Sequence, residues 1–264
     1  RITDSEETED LGSWSPDGVW LVFAIHEDEN PGVYIRNPDG VDLIRLTTTR
    51  DRSPVWAPRG DVISFYTEGE EGTDVYRVDS RDRRILGLTG QIYDDSLLSW
   101  SPDGTEIAFV RQSIDPGLYV LNVEHSHVRK VSDFSYKSII SIFDEPLWIV
   151  NHNILAVADS GDRPLLFVRL HDTSEFVPTT TDGHTIPGPR PNQMLWSPND
   201  NQLVISGDSG VTMETWIHSF ESNMYAVNKS VNLGKAYLAG WYEYGVSVIL
   251  VRSDGTEIYT LPNS

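Results

Sequence analysis

Carboxylates stand four or five residues ahead of a tryptophan four times along this chain: Glu9 and Asp10 before Trp14, Asp51 before Trp56, Asp95 before Trp100 and Asp144 before Trp148. Arg52 sits beside the second of them. Brought together, such groups favour a cation or a peptide amine. The competing reading is that they cap strand ends and pair with Arg52. A second acidic set, Glu27, Asp28, Glu29, Glu68, Glu70 and Glu71, has the like-signed density that speeds and orients docking of a basic partner. Its alternative is a solvated rim that keeps the protein soluble. Calcium binding by Glu27-Asp28-Glu29-Asn30 or Glu70-Glu71 is the weaker reading, because neither has the ligand alternation of a calcium loop.

Other chemistry finds little support in the residue types. Gly207-Asp208-Ser209-Gly210 matches the string around a trypsin-like nucleophile, but partner His and Asp contexts are missing and a β-turn is the better reading. A Gly-x-Ser-x-Gly elbow and a phosphate-binding glycine loop are both absent. The chain has no cysteine, which removes disulfides, thiolate metal sites and thiol nucleophiles. Of seven histidines, only His125 and His127 form a close pair, and alternate strand positions would set them side by side as metal ligands. The expectation is no catalytic residue, no metal and no cofactor.

The elements that must position the carboxylates announce themselves through six tryptophans, Trp14, Trp56, Trp100, Trp148, Trp196 and Trp241, spaced 42, 44, 48, 48 and 45 residues apart. A period in the forties filled with short strand-like runs is that of a β-propeller blade. Four of the six open a related turn: Trp14-Ser15-Pro16-Asp17-Gly18, Trp56-Ala57-Pro58-Arg59-Gly60, Trp100-Ser101-Pro102-Asp103-Gly104 and Trp196-Ser197-Pro198-Asn199-Asp200. Proline presets φ, Asp or Asn tolerates the next position, and Gly takes the positive φ that returns the chain. Apolar runs such as Trp20-Leu21-Val22-Phe23-Ala24 follow as strands. A second aromatic series, Tyr34, Tyr76, Tyr119, Phe167, Trp216 and Tyr259, trails the first by 18 to 20 residues. These twelve aromatics read as blade-packing residues.

The expected fold is all-β: a six-bladed β-propeller of four-stranded antiparallel blades, forming one domain over residues 1–264. The blades run roughly over 10–49, 52–90, 95–132, 144–180, 192–233 and 236–262 plus 1–4. Arg1-Ile2-Thr3 copies the Arg45-Leu46-Thr47 pattern, so the N-terminal strand is expected to close the last blade and leave no open sheet edge. On these motifs the chain resembles TolB-type propellers with WD-repeat-like repeats, over essentially all its residues. That superfamily includes members similar to periplasmic translocation proteins, to propellers that gate serine peptidases and to a metal-dependent pectate-type lyase. The repeats themselves are architectural and choose none of these activities.

Forty acidic residues against twenty basic ones give a net charge of −20, which repels nucleic acid phosphates and anionic lipid surfaces. Apolar runs fall far short of the roughly twenty residues that span a bilayer. In a propeller, the loops joining second and third strands share one face with the connections between blades. Those segments carry seventeen of the twenty excess negative charges. Two connections differ from the rest. Residues 181–192 carry three prolines together with His184, Pro187 and Arg190, and residues 133–145 carry an apolar load unusual for a solvated loop. The chain begins without Met or a signal-like segment, which reads either as a processing site left by removal of an export signal or membrane anchor or as a trimmed start. With the resemblance, this implies an extracytoplasmic, periplasmic place, with the cytoplasm not excluded. The function expected is non-catalytic: a protein-binding propeller, an accessory or scaffolding subunit of an envelope or membrane-associated complex. The alternative is a propeller enzyme, lyase or hydrolase, with its site at the channel mouth.

Overall fold

The Trp-Ser-Pro-Asp-Gly strings fold into turns closed almost entirely by their own residues. The Ser15 N–H donates to the Trp20 carbonyl at 2.7 Å, the Trp20 N–H returns to Ser15 Oγ at 2.8 Å, and the Gly18 N–H reaches the Ser15 carbonyl at 2.8 Å. Ser15 Oγ donates in turn to Asp17 Oδ1 at 2.5 Å. Ser101, Asp103, Gly104 and Glu106 repeat the arrangement. The serine hydroxyl, assisted by backbone N–H groups two residues on, holds both Asp carboxyls below the usual range. Gly18, Gly60 and Gly104 take φ of 70°, 74° and 68°, where a side chain would strain the backbone.

The structure is a computed structural model. It describes residues 9–26, 30–37, 39, 42–69, 72–89, 95–112, 114–133, 147–149, 153–158, 165–197, 201–208, 212–222, 224, 226–242 and 247–260. Among these, every regular element is a strand, 24 in all, arranged in six sheets. Chain contacts divide the molecule into two compact units, Arg1–Ser135 and Tyr136–Ser264. Among the described residues no helix is long and apolar enough to cross a membrane.

The first unit holds three sheets of four strands each, ordered along the chain and antiparallel throughout. They are β1 (Glu9–Trp14), β2 (Leu21–Ile25), β3 (Gly32–Arg36) and β4 (Leu43–Arg45); β5 (Asp51–Trp56), β6 (Val62–Gly69), β7 (Gly72–Asp79) and β8 (Ile85–Gly87); and β9 (Asp95–Trp100), β10 (Glu106–Arg111), β11 (Gly117–Asn122) and β12 (His127–Ser132). Trp56 packs on Val22, Val33 and Ile35 of the sheet before its own. Trp100 does the same on Tyr66 and Val75, and its indole N–H donates to Ser64 Oγ at 2.8 Å. Trp14 belongs to the first sheet of its unit and is 46% exposed, so the tryptophan series is not uniformly buried. The second aromatic series has a cross-strand cause. Tyr34, Tyr76 and Tyr119 are the register partners of Phe23, Phe65 and Phe109, and the ring pairs stack with centroids 5.6 to 6.0 Å apart.

The second unit departs from four strands per repeat. Its first sheet, β13 (Leu147–Ile149), β14 (Ile154–Ala158), β15 (Leu165–Arg169) and β16 (Glu175–Phe176), is four-stranded. The next has five: β18 (Arg190–Trp196), β19 (Gln202–Asp208), β20 (Met213–Phe220), β21 (Ala226–Gly234) and, at its outer edge, β17 (Thr179–Thr180), which pairs parallel with β21. The last, β22 (Tyr237–Tyr242), β23 (Ser247–Arg252) and β24 (Gly255–Thr260), has three among the described residues. The closing strand expected from Arg1-Ile2-Thr3 lies outside the described residues, as do the apolar residues 134–145.

Candidate functional site

In the first unit the two ends of the sheets differ in chemistry. At one end the hairpin turns abut from sheet to sheet, Gly60 lying against Pro16 and Gly104 against Arg59, whose Nε donates to the Asp103 carbonyl at 2.9 Å. The opposite end, where β1, β5 and β9 begin, gathers acidic and hydroxyl side chains.

Asp51 is the centre of that end. It begins β5 at a position with no exposed surface, and its carboxylate accepts hydrogen bonds from Thr47 Oγ1, from Thr49 Oγ1 at 2.8 Å and from Thr67 Oγ1 at 2.7 Å. Thr47 Oγ1 accepts in turn from the Val33 N–H at 2.8 Å. The chain therefore joins β3, the link after β4, β5 and β6 around one buried charge. A buried carboxylate with this many donors is satisfied where it stands.

Asp10, half-buried on β1, has Oδ2 2.9 Å from Nε2 of the buried His26, although the ring N–H is not aligned as a hydrogen bond. The Ser53 N–H, 3.4 Å away, also faces that oxygen, and Ser53 sits at φ 47° where the β5 register shifts. Asp74, on β7, is buried beside Thr89 Oγ1 at 3.4 Å. Burial pushes its carboxyl up, partly offset by Thr89 and the Arg111 charge. Arg111 lies 4.5 Å from the centroid of the Tyr119 ring.

A local motif recurs at this end. Asn30-Pro31-Gly32 and Asp115-Pro116-Gly117 both precede a tyrosine by two residues, and each tyrosine hydroxyl returns to the first carbonyl of its motif, at 2.7 Å for Tyr34 and 2.6 Å for Tyr119. A cation opposes each tyrosine on the fourth strand. Arg45 donates to the Pro31 carbonyl, and Lys130 bridges Asp115 at 2.5 Å and Asp133 at 2.7 Å. Those two carboxylates hold the Lys130 ammonium well above its usual range.

The remaining expected site residues fall as follows. Glu9 and Asp95 start β1 and β9, paired with Ile25 and Arg111, and Glu68 pairs with Thr73 on β6; only their backbones are described. Arg52 is exposed opposite Tyr66. Glu27, Asp28, Glu29, Glu70, Glu71 and Asp144 lie outside the described residues. In the second unit His184 and Pro187 are exposed, His184 Nδ1 lies 3.1 Å from Asp182 Oδ2, and Arg190 begins β18 opposite Asp208. His125 and His127 do not share a strand. The Ser126 turn, at φ 50°, puts His125 before β12 and His127 at its first residue, which removes the alternate-position geometry expected for a ligand pair.

Sequence reading missed the Asp51 threonine network, the His26–Asp10 pair and the burial of Asp74 beside Thr89. The Asn-Pro-Gly and Asp-Pro-Gly strings, each with a cation on its fourth strand, were a signal that this end is built from interlocked polar groups.

No protein-family model matches the chain. Solved structures do. TolB from Acinetobacter baumannii aligns with TM-score 0.56 and 16% identity over 88% of this chain and 58% of its own length. An oligogalacturonate lyase in complex with manganese aligns with TM-score 0.71 and 14% identity over 96% of this chain and 74% of the lyase. A putative TolB from Agrobacterium tumefaciens aligns with TM-score 0.59 and 14% identity, covering 99% and 93%. The chain thus spans about three fifths of the length of the first of these structures. At such identities the likeness concerns fold, and the fold is that of TolB-like and lyase β-propellers. The lyase holds manganese; among the described residues of this chain no three His, Asp or Glu side chains gather as metal ligands.

Proposed function

We propose that the chain is a six-bladed, TolB-like propeller that works by binding protein, as an accessory or scaffolding subunit of an extracytoplasmic, envelope or membrane-associated assembly. In this reading the six sheets are blades of one ring, with Arg1-Ile2-Thr3 completing the last. The observation that carries the proposal is how the polar groups of the first unit are engaged. Asp51 is taken up by three threonines and Asp115 and Asp133 by Lys130, while Asp10 lies beside His26. Groups engaged in this way are not a set of free acids, bases and nucleophiles around a reacting atom, and those at the surface, Asp115, Asp133 and Lys130, are held in place as a preorganised charged patch. What such a surface offers is electrostatic recognition, and the acidic loops supply the sign for a basic partner. Native purification with mass spectrometry of co-purifying proteins, repeated after charge reversal at Glu27, Asp28, Glu70 and Glu71, tests it. Loss of a partner is expected; an unchanged set of partners sinks the docking face.

The manganese-bound lyase has the higher TM-score of the structures compared, and this favours one second reading, a polyuronate-cleaving enzyme. Incubation with oligogalacturonate and Mn²⁺, followed by detection of unsaturated products, decides it. Turnover abolished by chelation would replace the binding proposal.

A further inference from the structure

The connection at 181–192 is a strap over the fifth sheet, and the structure shows what lies beneath it. Thr179 and Thr180 pair with Ala226 and Val227 on β21, Thr179 also bridges Thr185, and the His184 N–H donates to Thr180 Oγ1 at 3.0 Å. Ile186 then enters the apolar cluster of Trp196, Leu203 and Phe220. Two residues further on, Gly188 crosses the rings of Trp216 and His218. A Cβ there would stand 3.5 Å from Trp216 Cγ and 3.6 Å from His218 Nε2, and its φ of 138° excludes most side chains anyway.

The two rings under Gly188 lie 8° from parallel, and His218 has no exposed surface. Its Nδ1 is 2.9 Å from Ser230 Oγ on β21. Its Nε2, on the side of the strap, has no hydrogen-bond partner among the described residues. A neutral imidazole tolerates this; an imidazolium in the same place would bury a charge whose second N–H donates to nothing.

We propose that residues 186–189 form an acid-released latch, seated on Trp216 and His218 while the imidazole is neutral and lifted when it takes a proton. Among the described residues, the surroundings hold no counter-charge for a cation. The group opposite on β21 is Ser230, that on β19 is Leu203, and on its own strand Trp216 is the stacked neighbour. The Glu214 carboxylate is engaged by Trp216 Nε1 at 2.9 Å and Asn232 Nδ2 at 3.2 Å, Asp182 is held at the outer turn by Thr180 and His184, and Lys229 is an exposed residue opposite Ser219.

Burial alone pushes the seated imidazole down from 6.5 to about 4. Lifting the strap returns the ring to water and to its ordinary affinity, so the open form takes the proton first as pH falls. Each pH unit between about 6.5 and about 4 therefore favours opening by about tenfold, or about 300-fold in all.

The test is hydrogen–deuterium exchange on the full chain from neutral pH down to about 4, corrected for intrinsic exchange. Peptides covering 181–192 report the strap, and those covering β2 and β10 serve as references. Protection of the strap should fall about tenfold per pH unit across this range while the reference strands stay protected. In His218→Gln and His218→Leu, neither of which titrates there, the strap's protection should not follow pH. Constant protection in the native chain, loss in step with β2 and β10, or the same slope in a folded variant each overturns the latch.

Discussion

Replacing Asp51 with alanine removes the one acceptor shared by Thr47, Thr49 and Thr67. Thr49 is exposed and recovers a bond to water, so its loss adds little. Thr47 is buried and Thr67 half-buried, and each bond to a charged acceptor in such a place is worth about 1.5–3 kcal/mol. Two of them sum to about 3–6 kcal/mol, and partial rehydration of Thr67 brings the expectation to about 4 kcal/mol. Asp51→Asn keeps one acceptor oxygen, and its amide finds a free lone pair on Thr47 or Thr67, so the cost should drop to about 1–2 kcal/mol. Equilibrium urea unfolding followed by tryptophan emission measures both, with an unchanged urea slope as the sign that the unfolding reaction is the same. Exchange at the Val33 amide, which donates to Thr47, should rise in the alanine variant. An alanine variant within about 0.5 kcal/mol of the native chain would refute the argument. It would mean that the threonine hydrogen bonds to the carboxylate do not stabilise the fold.

Ser64→Ala strips the indole N–H of Trp100 of its acceptor inside the contact between the second and third sheets, and should cost about 1–3 kcal/mol in urea unfolding; a variant as stable as the native chain would show that the hydroxyl does not matter there. The neutral, buried His218 also makes stability fall with acid. The folded pKa of about 4 with the strap seated lies below the ordinary 6.5, so the unfolded chain binds the proton first and stability falls as pH drops from about 6.5 to about 4; about 3 kcal/mol is the ceiling, reached only while the strap stays seated, because a lifted strap lets the folded chain take the same proton. Subtracting the pH profile of His218→Gln from that of the native chain isolates this contribution, and a flat difference would refute it.

The features legible in the sequence are those whose bonds close within a few residues or across adjacent strands. Ser15, Asp17, Gly18 and Trp20 satisfy one another inside six positions, so the motif is the turn wherever the chain puts it. The stacked pairs Phe23–Tyr34, Phe65–Tyr76 and Phe109–Tyr119 follow from hairpin register, which a period-two strand carries in its spelling. The five strands of the fifth sheet were not legible, because β17 is two residues long and its partner β21 lies 47 positions downstream. The carboxylate end was legible as composition only. Thr47 and Thr49 stand within four residues of Asp51, but its third donor, Thr67, lies 16 positions on in β6, and its burial is set by packing rather than by spelling.

By itself the sequence determined the repeat, its turns, the strand order inside the four-stranded sheets and the sign of the charge, since each of these is a local or additive property. Tertiary structure alone decided which acidic groups are enclosed, that Trp14 stays exposed where Trp56 and Trp100 do not, and that a glycine 30 residues before His218 lies against its buried ring. These are consequences of burial, and burial belongs to the packing of distant segments against one another.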